Sequence, residues 1–196
     1  MTTVYPTNNS QKLHPYKFIL WVAIGSIIMM FAGLTSAYIV KKNQSNWLEF
    51  DLPVLFVYST AVILLSSLTI YLTAQAYKAG SMAKYKLLIA ITALLGVAFI
   101  ILQIMGFADL ESRNIALTGP KSNSAASFLL VITGLHILHV LGGVIALVVI
   151  AFRASRLTGI QKFQPSGILS IEMAATYWHF VDILWIYLFI FYNWIG

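Results

Sequence analysis

Five ionisable side chains sit inside otherwise apolar runs of this sequence: His136, His139, Glu172, His179 and Asp182. Such a group at membrane depth costs several kcal/mol, about 2.5–3.5 for an Asp at a span centre. His136 and His139 are three residues apart, as are His179 and Asp182, so on helices each pair shares a face. Three chemistries suit the set. Imidazoles ligate metals, which raises haem or copper. Two histidines one helical turn apart cannot be the opposite axial ligands of one haem, so the iron would have to sit between His136 or His139 and His179, with an acid beside it. A chain of Asp and His can pass protons. The third chemistry, a hydrogen-bonded clamp that locks two helices, asks least of these residues and is the preferred reading.

The elements that position them follow from composition. Of the 196 residues, 60% are hydrophobic and 9% charged, with a mean hydropathy of +0.86. Soluble domains carry about 25% charged residues, so this chain cannot cover a water-facing surface. Apolar runs fall at 17–40, 54–77, 85–108, 125–152 and 167–194. Each reaches the ~20 residues that cross ~30 Å of hydrocarbon as a helix. The runs are continuous, without the alternation of a membrane β-barrel. The expected fold is an all-α integral membrane bundle of five transmembrane helices behind a polar tail, 1–16. The first run follows that tail and stops at Lys41-Lys42 without a small-residue cleavage pattern, so it is read as a retained span and not a signal peptide. The linkers, 41–53, 78–84, 109–124 and 153–166, are too short to fold alone.

Cysteine is absent, which excludes disulfides and thiolate metal sites. The net charge of +6 and pI near 9.6 would suggest nucleic acid in a soluble protein. Here the basic residues flank the spans, where they set topology. Lys12, Lys17, Lys78, Lys84, Lys86, Arg153, Arg156 and Lys162 fall on one side, and Lys41, Lys42, Arg113 and Lys121 on the other. The positive-inside rule then places the N-terminus in the cytoplasm and the C-terminus outside.

Depth follows from the helical rise. His136 and His139 lie roughly 16–21 Å below the outer end of the fourth span, and His179 and Asp182 roughly 18–23 Å below that of the fifth. If the two helices are neighbours, the four residues form one buried polar cluster. Glu172 lies two turns from His179, about 10.5 Å along the axis and too far for a direct bond. Its depth matches Arg153 and Arg156, so one of these, or a lipid headgroup they hold, is its expected partner. Small residues, among them Gly33 in the first span and Gly134, Gly142 and Gly143 in the fourth, are expected to allow close helix packing.

At these residues the sequence resembles a known family. Gly134-Leu135-His136-Ile137-Leu138-His139-Val140, followed by Gly142, resembles the Gly-x-His-x-x-His-Val motif of cytochrome c oxidase subunit III. The run from Glu172 through Thr176-Tyr177-Trp178-His179-Phe180-Val181-Asp182 to Trp185 resembles that family's closing motif, and Tyr192-Asn193-Trp194-Ile195-Gly196 fits its ending. Leu102-Gln103 and Phe31-Ala32-Gly33-Leu34 are weaker matches.

The resemblance implies a cofactor-free companion of the catalytic subunit I of a haem–copper oxidase, with haem and copper in the partner subunits. It implies support for proton uptake, protection of the enzyme during turnover, and bound phospholipid. Arg153, fourteen residues after His139, falls where the family places an arginine that meets a lipid phosphate. Larger members have seven spans, and this chain resembles their five-helix bundle alone. Where the family usually has a buried Glu after a Ser in the first span of that bundle, this chain has Ile27 after Ser26. The runner-up within the family is the equivalent small subunit of a quinol oxidase or nitric oxide reductase. From a different class, a stand-alone transporter would show repeated halves and broken helices, and no proline interrupts a span here. The chain has no nucleophile–base pair, phosphate loop or three-ligand metal motif, so no chemistry is expected in it. A multi-pass protein of a bacterial inner membrane is the expected setting.

Overall fold

The computed structural model describes residues 15–43, 47, 50–119, 122–156 and 165–195, with backbone alone at 155, 156, 165 and 166. Among the described residues the chain forms five helices and no strand: α1 Pro15–Lys42, α2 Val54–Lys78, α3 Met82–Ser112, α4 Ser124–Arg156 and α5 Pro165–Ile195. All five carry a stretch long and apolar enough to cross a membrane. They overrun the spans read from hydropathy because a helix continues into the headgroup layer, where polar residues are no obstacle to it. Pro15 and Pro165, which fall in the expected tail and last linker, are the first residues of α1 and α5. A proline there fixes a helical φ, and its missing N–H would have had no partner anyway. The polar tail through residue 14, together with Lys121, Lys162 and the side chain of Arg156, lies outside the described residues.

Connections are short where the chain reverses between neighbours. The α2–α3 turn is Ala79-Gly80-Ser81, with Gly80 at φ +77°. The Ser81 N–H donates to Ala76 O at 3.0 Å and the Gly80 N–H to Tyr77 O at 3.1 Å, which closes the end of α2. Only glycine enters that left-handed conformation without a Cβ penalty.

Helices α2, α3, α4 and α5 pack as a ring: α2 on α3, α3 on α4, α4 on α5, and α5 back on α2. Helix α1 leans on the outside of α4 and α5. The middle of the ring is filled by two tryptophans of α5, seven residues apart and so on one face. Trp178 is 1% exposed and Trp185 fully buried. The Trp178 indole occupies space left by two glycines. A Cβ on Gly96 of α3 would lie 2.6 Å from Trp178 Cη2 and 2.7 Å from Val144 Cγ2; one on Gly143 of α4 would lie 3.0 Å from Trp178 Cε3. The same indole donates its Nε1–H to Ser66 Oγ of α2 at 3.0 Å. One turn-pair later, Trp185 Nε1 donates to Thr60 Oγ1 of α2 at 2.9 Å. Its ring meets Phe99 of α3 at 5.2 Å and His136 of α4 at 5.2 Å between centroids. Each tryptophan therefore touches all three other helices of the ring.

The glycines expected to allow close packing divide. Gly143 does so, but a Cβ on Gly33, Gly134 or Gly142 would meet nothing within 4 Å. Tight positions that were not expected are Gly96, Gly106, whose Cβ would lie 2.5 Å from Phe56 Cε1, and Gly167 against the Tyr77 hydroxyl. What decides is the size of the facing side chain, and an indole or phenyl on the neighbouring helix cannot be seen from the glycine's own span. Gly96→Ala should therefore destabilise the chain by about 1–3 kcal/mol, the usual cost of overpacking. Gly33→Ala should be neutral or slightly stabilising, because it gains helix propensity at no steric cost. Thermal unfolding midpoints of the two variants in detergent check this, and equal midpoints would contradict it.

Candidate functional site

The five ionisable residues lie where α5 meets α4 on one side and α2 on the other. Counting 100° per residue, Asp182 and His179 lie about 40° and 100° to one side of Trp178, and Val181 and Tyr177 about 60° and 100° to the other. That rotation separates their partners. On the α4 side, His136 is fully buried with Nε2 at 3.2 Å from Val181 O, and Tyr177 Oη donates to His139 O at 3.1 Å. The His139 Nδ1–Leu135 O contact of 2.7 Å stays within α4. Phe31 of α1 stands edge-on to His139, with centroids 5.8 Å apart. On the α2 side, Ser67 Oγ and His179 Nδ1 are 2.7 Å apart.

The expected single cluster is thus two separate seams. Helices α4 and α5 are neighbours, but among the described residues no hydrogen bond joins the His136/His139 pair to the His179/Asp182 pair. Their link runs through the backbone carbonyls of Val181 and His139. Asp182 departs further from the clamp reading. It is 2% exposed, and neither carboxylate oxygen has a hydrogen bond of good geometry among the described residues. The Ser67 hydroxyl stands beside it but is turned to His179. Among the described residues no group of three or more His, Cys, Asp or Glu is placed to hold a metal ion.

Glu172 is also corrected. Its carboxylate meets Lys17 of α1 at 3.2 Å and Lys78 of α2 at 3.1 Å, not Arg153. The three side chains are about a third to over half exposed, so the pairs are worth little individually. They tie three helix ends at one membrane face. Depth alone suggested Arg153; the rotation of α5 puts Glu172 about 120° from Trp178, on the side of His179 and α2. Arg153 instead lines a groove of about 950 Å³ between α1, α4 and α5, with Leu20, Ala146, Ile150 and Met173 on its walls. Helices α1 and α4 meet at Phe31 and at Tyr38–Phe128, and the groove opens at their other ends.

The polar partners that sequence reasoning missed are the hydroxyls of α2. Ser59, Thr60, Ser66 and Ser67 receive, in order, Gln103 Nε2 at 2.9 Å, Trp185 Nε1, Trp178 Nε1 and the His179 contact. The readable signal was the pairing of two hydroxyl doublets seven residues apart with Trp178 and Trp185, also seven apart.

Five apolar helices joined by hydrogen bonds between them define a membrane-embedded helical bundle. The comparisons say which. A family model described as cytochrome c oxidase subunit III matches residues 44–196. A probable cytochrome c oxidase subunit 3 of Nocardia farcinica is 34% identical over 208 residues, covering 96% of this chain and 97% of the relative. The cytochrome c oxidase subunit 3 of Corynebacterium diphtheriae is 30% identical over 86% of this chain and 85% of its own length. That of Bacillus sp. is 27% identical over 94% and 88%. The chain belongs to the cytochrome c oxidase subunit III family.

The seam with α2 makes a direct prediction. A double-mutant cycle of His179→Ala and Ser67→Ala should give a coupling of about 0.6 kcal/mol, the average for hydrogen bonds between membrane helices, and at most about 1.7 kcal/mol. Asp182→Asn should cost less than His179→Ala, because no hydrogen bond is lost. Chemical or thermal unfolding of the purified variants reads both, and a zero coupling would remove the seam.

Proposed function

We propose that the chain is the cofactor-free accessory subunit III of a proton-pumping haem–copper terminal oxidase in aerobic respiration. Electron transfer and dioxygen reduction then belong to subunit I and its companions, which carry the haem and copper. The observation that carries this reading is the family match over nearly the whole chain, joined to a bundle whose interior polar groups are engaged mainly in helix-to-helix bonds. Such a bundle suits a scaffold: the Trp178 and Trp185 contacts make it rigid, and its outward apolar faces are free for lipid and a catalytic subunit.

Two finer roles complete the proposal. Arg153 at the mouth of the groove between α1, α4 and α5 binds the phosphate of a phospholipid whose acyl chain lies along Leu20, Ala146 and Ile150. A guanidinium pairs well with phosphate, and the walls are apolar. The second role is support of proton uptake from the face that carries Lys17, Lys78 and Arg153. The excess of basic residues there makes it the cytoplasmic face of a bacterial inner membrane, with the C-terminus outside.

Gentle-detergent purification from native membranes tests the assignment. The chain should co-purify with a haem–copper catalytic subunit, show its reduced-minus-oxidised spectrum, and lose all visible absorbance once stripped from it. A chain that purifies alone and colourless, or one that keeps a haem spectrum by itself, would overturn it. Arg153→Ala should lower the phospholipid retained by the purified complex, and unchanged lipid content would sink that part.

A further inference from the structure

Asp182 is the interior polar group that the scaffold role does not use. A second cavity, of about 350 Å³, leads toward it. It opens at the end of the bundle where Lys17, Glu172 and Lys78 meet, and is lined by Lys17, Ala74, Glu172, Thr176 and His179. That volume holds on the order of ten waters. Glu172, Thr176 and His179 follow one another at one-turn spacing on α5 and form its polar wall. At its inner end the His179 ring passes the chain of polar atoms to Ser67 at 2.7 Å. Ser67 in turn stands beside the Asp182 carboxyl.

Beyond Asp182 the path stops. Toward the opposite face, Ile63, Phe56, Phe99 and Trp185 fill the bundle at 0–1% exposure. The hydroxyls at that level are engaged: Thr60 is held by Trp185 Nε1 and donates to Phe56 O, and Ser59 donates to Phe56 O and accepts from Gln103 Nε2. The titratable groups around Asp182 are few. α5 itself presents His179, Tyr177 and, at the mouth, Glu172; α4 presents His136 against Val181 O and His139; α1 and α2 supply Lys17 and Lys78 at the mouth. At the depth of Asp182, between the Trp178 and Trp185 layers, α2 offers hydroxyls and the stretch of α3 from Gly96 to Phe99 offers no polar side chain.

We propose that this cavity is a one-sided proton inlet, and that Asp182 is a dead-end proton-binding site filled and emptied through His179 and Ser67 from the lysine-bearing face. In loading, a hydrated proton at the inner end of the cavity binds His179 Nε2, and the Nδ1–H proton passes to Ser67 Oγ. The hydroxyl, rotated about its χ1, gives its own proton to an Asp182 oxygen. One proton leaves the water and one joins the carboxylate; His179 ends neutral as the other tautomer. Unloading is the reverse, so the ring need not turn over. The inlet deepens the proton-uptake role proposed above and rests on it for its purpose. Its residues can fail independently of the accessory-subunit assignment, which co-purification tests.

The test is infrared difference spectroscopy on the assembled oxidase during pH steps, in H2O and in D2O. A carboxylic C=O band should grow as pH falls, move to lower wavenumber in D2O, and vanish in Asp182→Asn. Ala74→Leu and Thr176→Leu narrow the cavity without touching His179 or Asp182. Each should slow the band's response at least about tenfold, the effect of about 1.4 kcal/mol of added barrier. In sealed vesicles the band should follow a pH step applied on the lysine-bearing side and lag one applied on the other. Three results would each overturn the proposal. One is the absence of any band lost in Asp182→Asn across the pH range where the complex stays intact. The others are unchanged kinetics in whichever cavity variants assemble, and an equal response from both sides.

Discussion

In lipid, apolar side chains gain nothing by leaving the solvent, because the solvent is as apolar as they are. Association must come from close fit and from polar groups that find one another. Trp178 meets both demands at once. Its indole sits against Gly96 and Gly143, where even a Cβ would collide, and its N–H reaches Ser66. One side chain of α5 thereby fixes the distance to α3 and α4 and the rotation relative to α2. The positions of His136, His179 and Asp182 all follow from that rotation. Trp185 repeats the arrangement two turns on with Thr60, Phe99 and His136. Two such layers set the helix tilt, which one layer could not.

The interior polar groups obey one economy. Hydroxyls of membrane helices satisfy their own donors on the preceding turn, as Thr35, Thr60, Thr73 and Thr92 do with carbonyls four residues back. Their oxygens keep lone pairs free, so they are acceptors in waiting. The bundle spends them on groups that only donate, the indoles of Trp178 and Trp185 and the amide of Gln103. Spare backbone carbonyls serve the same purpose at Val181 and His139. A carboxylate has nothing to donate, and a helix full of acceptors gives it no partner. That is the physical reason Asp182 stands unbonded among otherwise engaged neighbours, while Glu172, near water, finds two lysines.

The number and helical form of the spans were legible in the sequence because they depend on each segment alone. The helical rise also set His136 and His139 level with the 177–182 stretch of α5, and their contacts with Val181 and Tyr177 lie there. What was not legible depends on how one helix is turned toward the next. Arg153 had the right depth to meet Glu172 but lies on another side of α5. Gly134 and Gly142 belong to the motif that carries the family likeness, yet they face open space. Gly96, in an unremarked stretch of α3, has an indole against it. The α2 hydroxyls read as mild interruptions in an apolar run, since each is satisfied locally and nothing in α2 announces a tryptophan on α5.

The replacement of the family's usual acid by Ile27 fits this picture. Helix α1 is the peripheral helix: it is buried at Ile24, Phe31, Thr35 and Tyr38, and Ile27 is only partly covered. Its polar contacts to the ring lie at its ends and two turns from one of them. Lys17 meets Glu172 on one side; Thr35 accepts from Tyr187 at 3.1 Å, and Lys42 reaches the carbonyl of Ile195, on the other. Between them it meets α4 through the edge of Phe31. A carboxylate at position 27 would sit in that middle stretch, where the described residues offer no cation, and would have to be carried by lipid or a neighbouring subunit. With isoleucine there, α1 is held in its middle by shape alone, and its charged side chains lie only at its two ends. A peripheral helix so held can shift without disturbing the ring, because neither tryptophan layer depends on it.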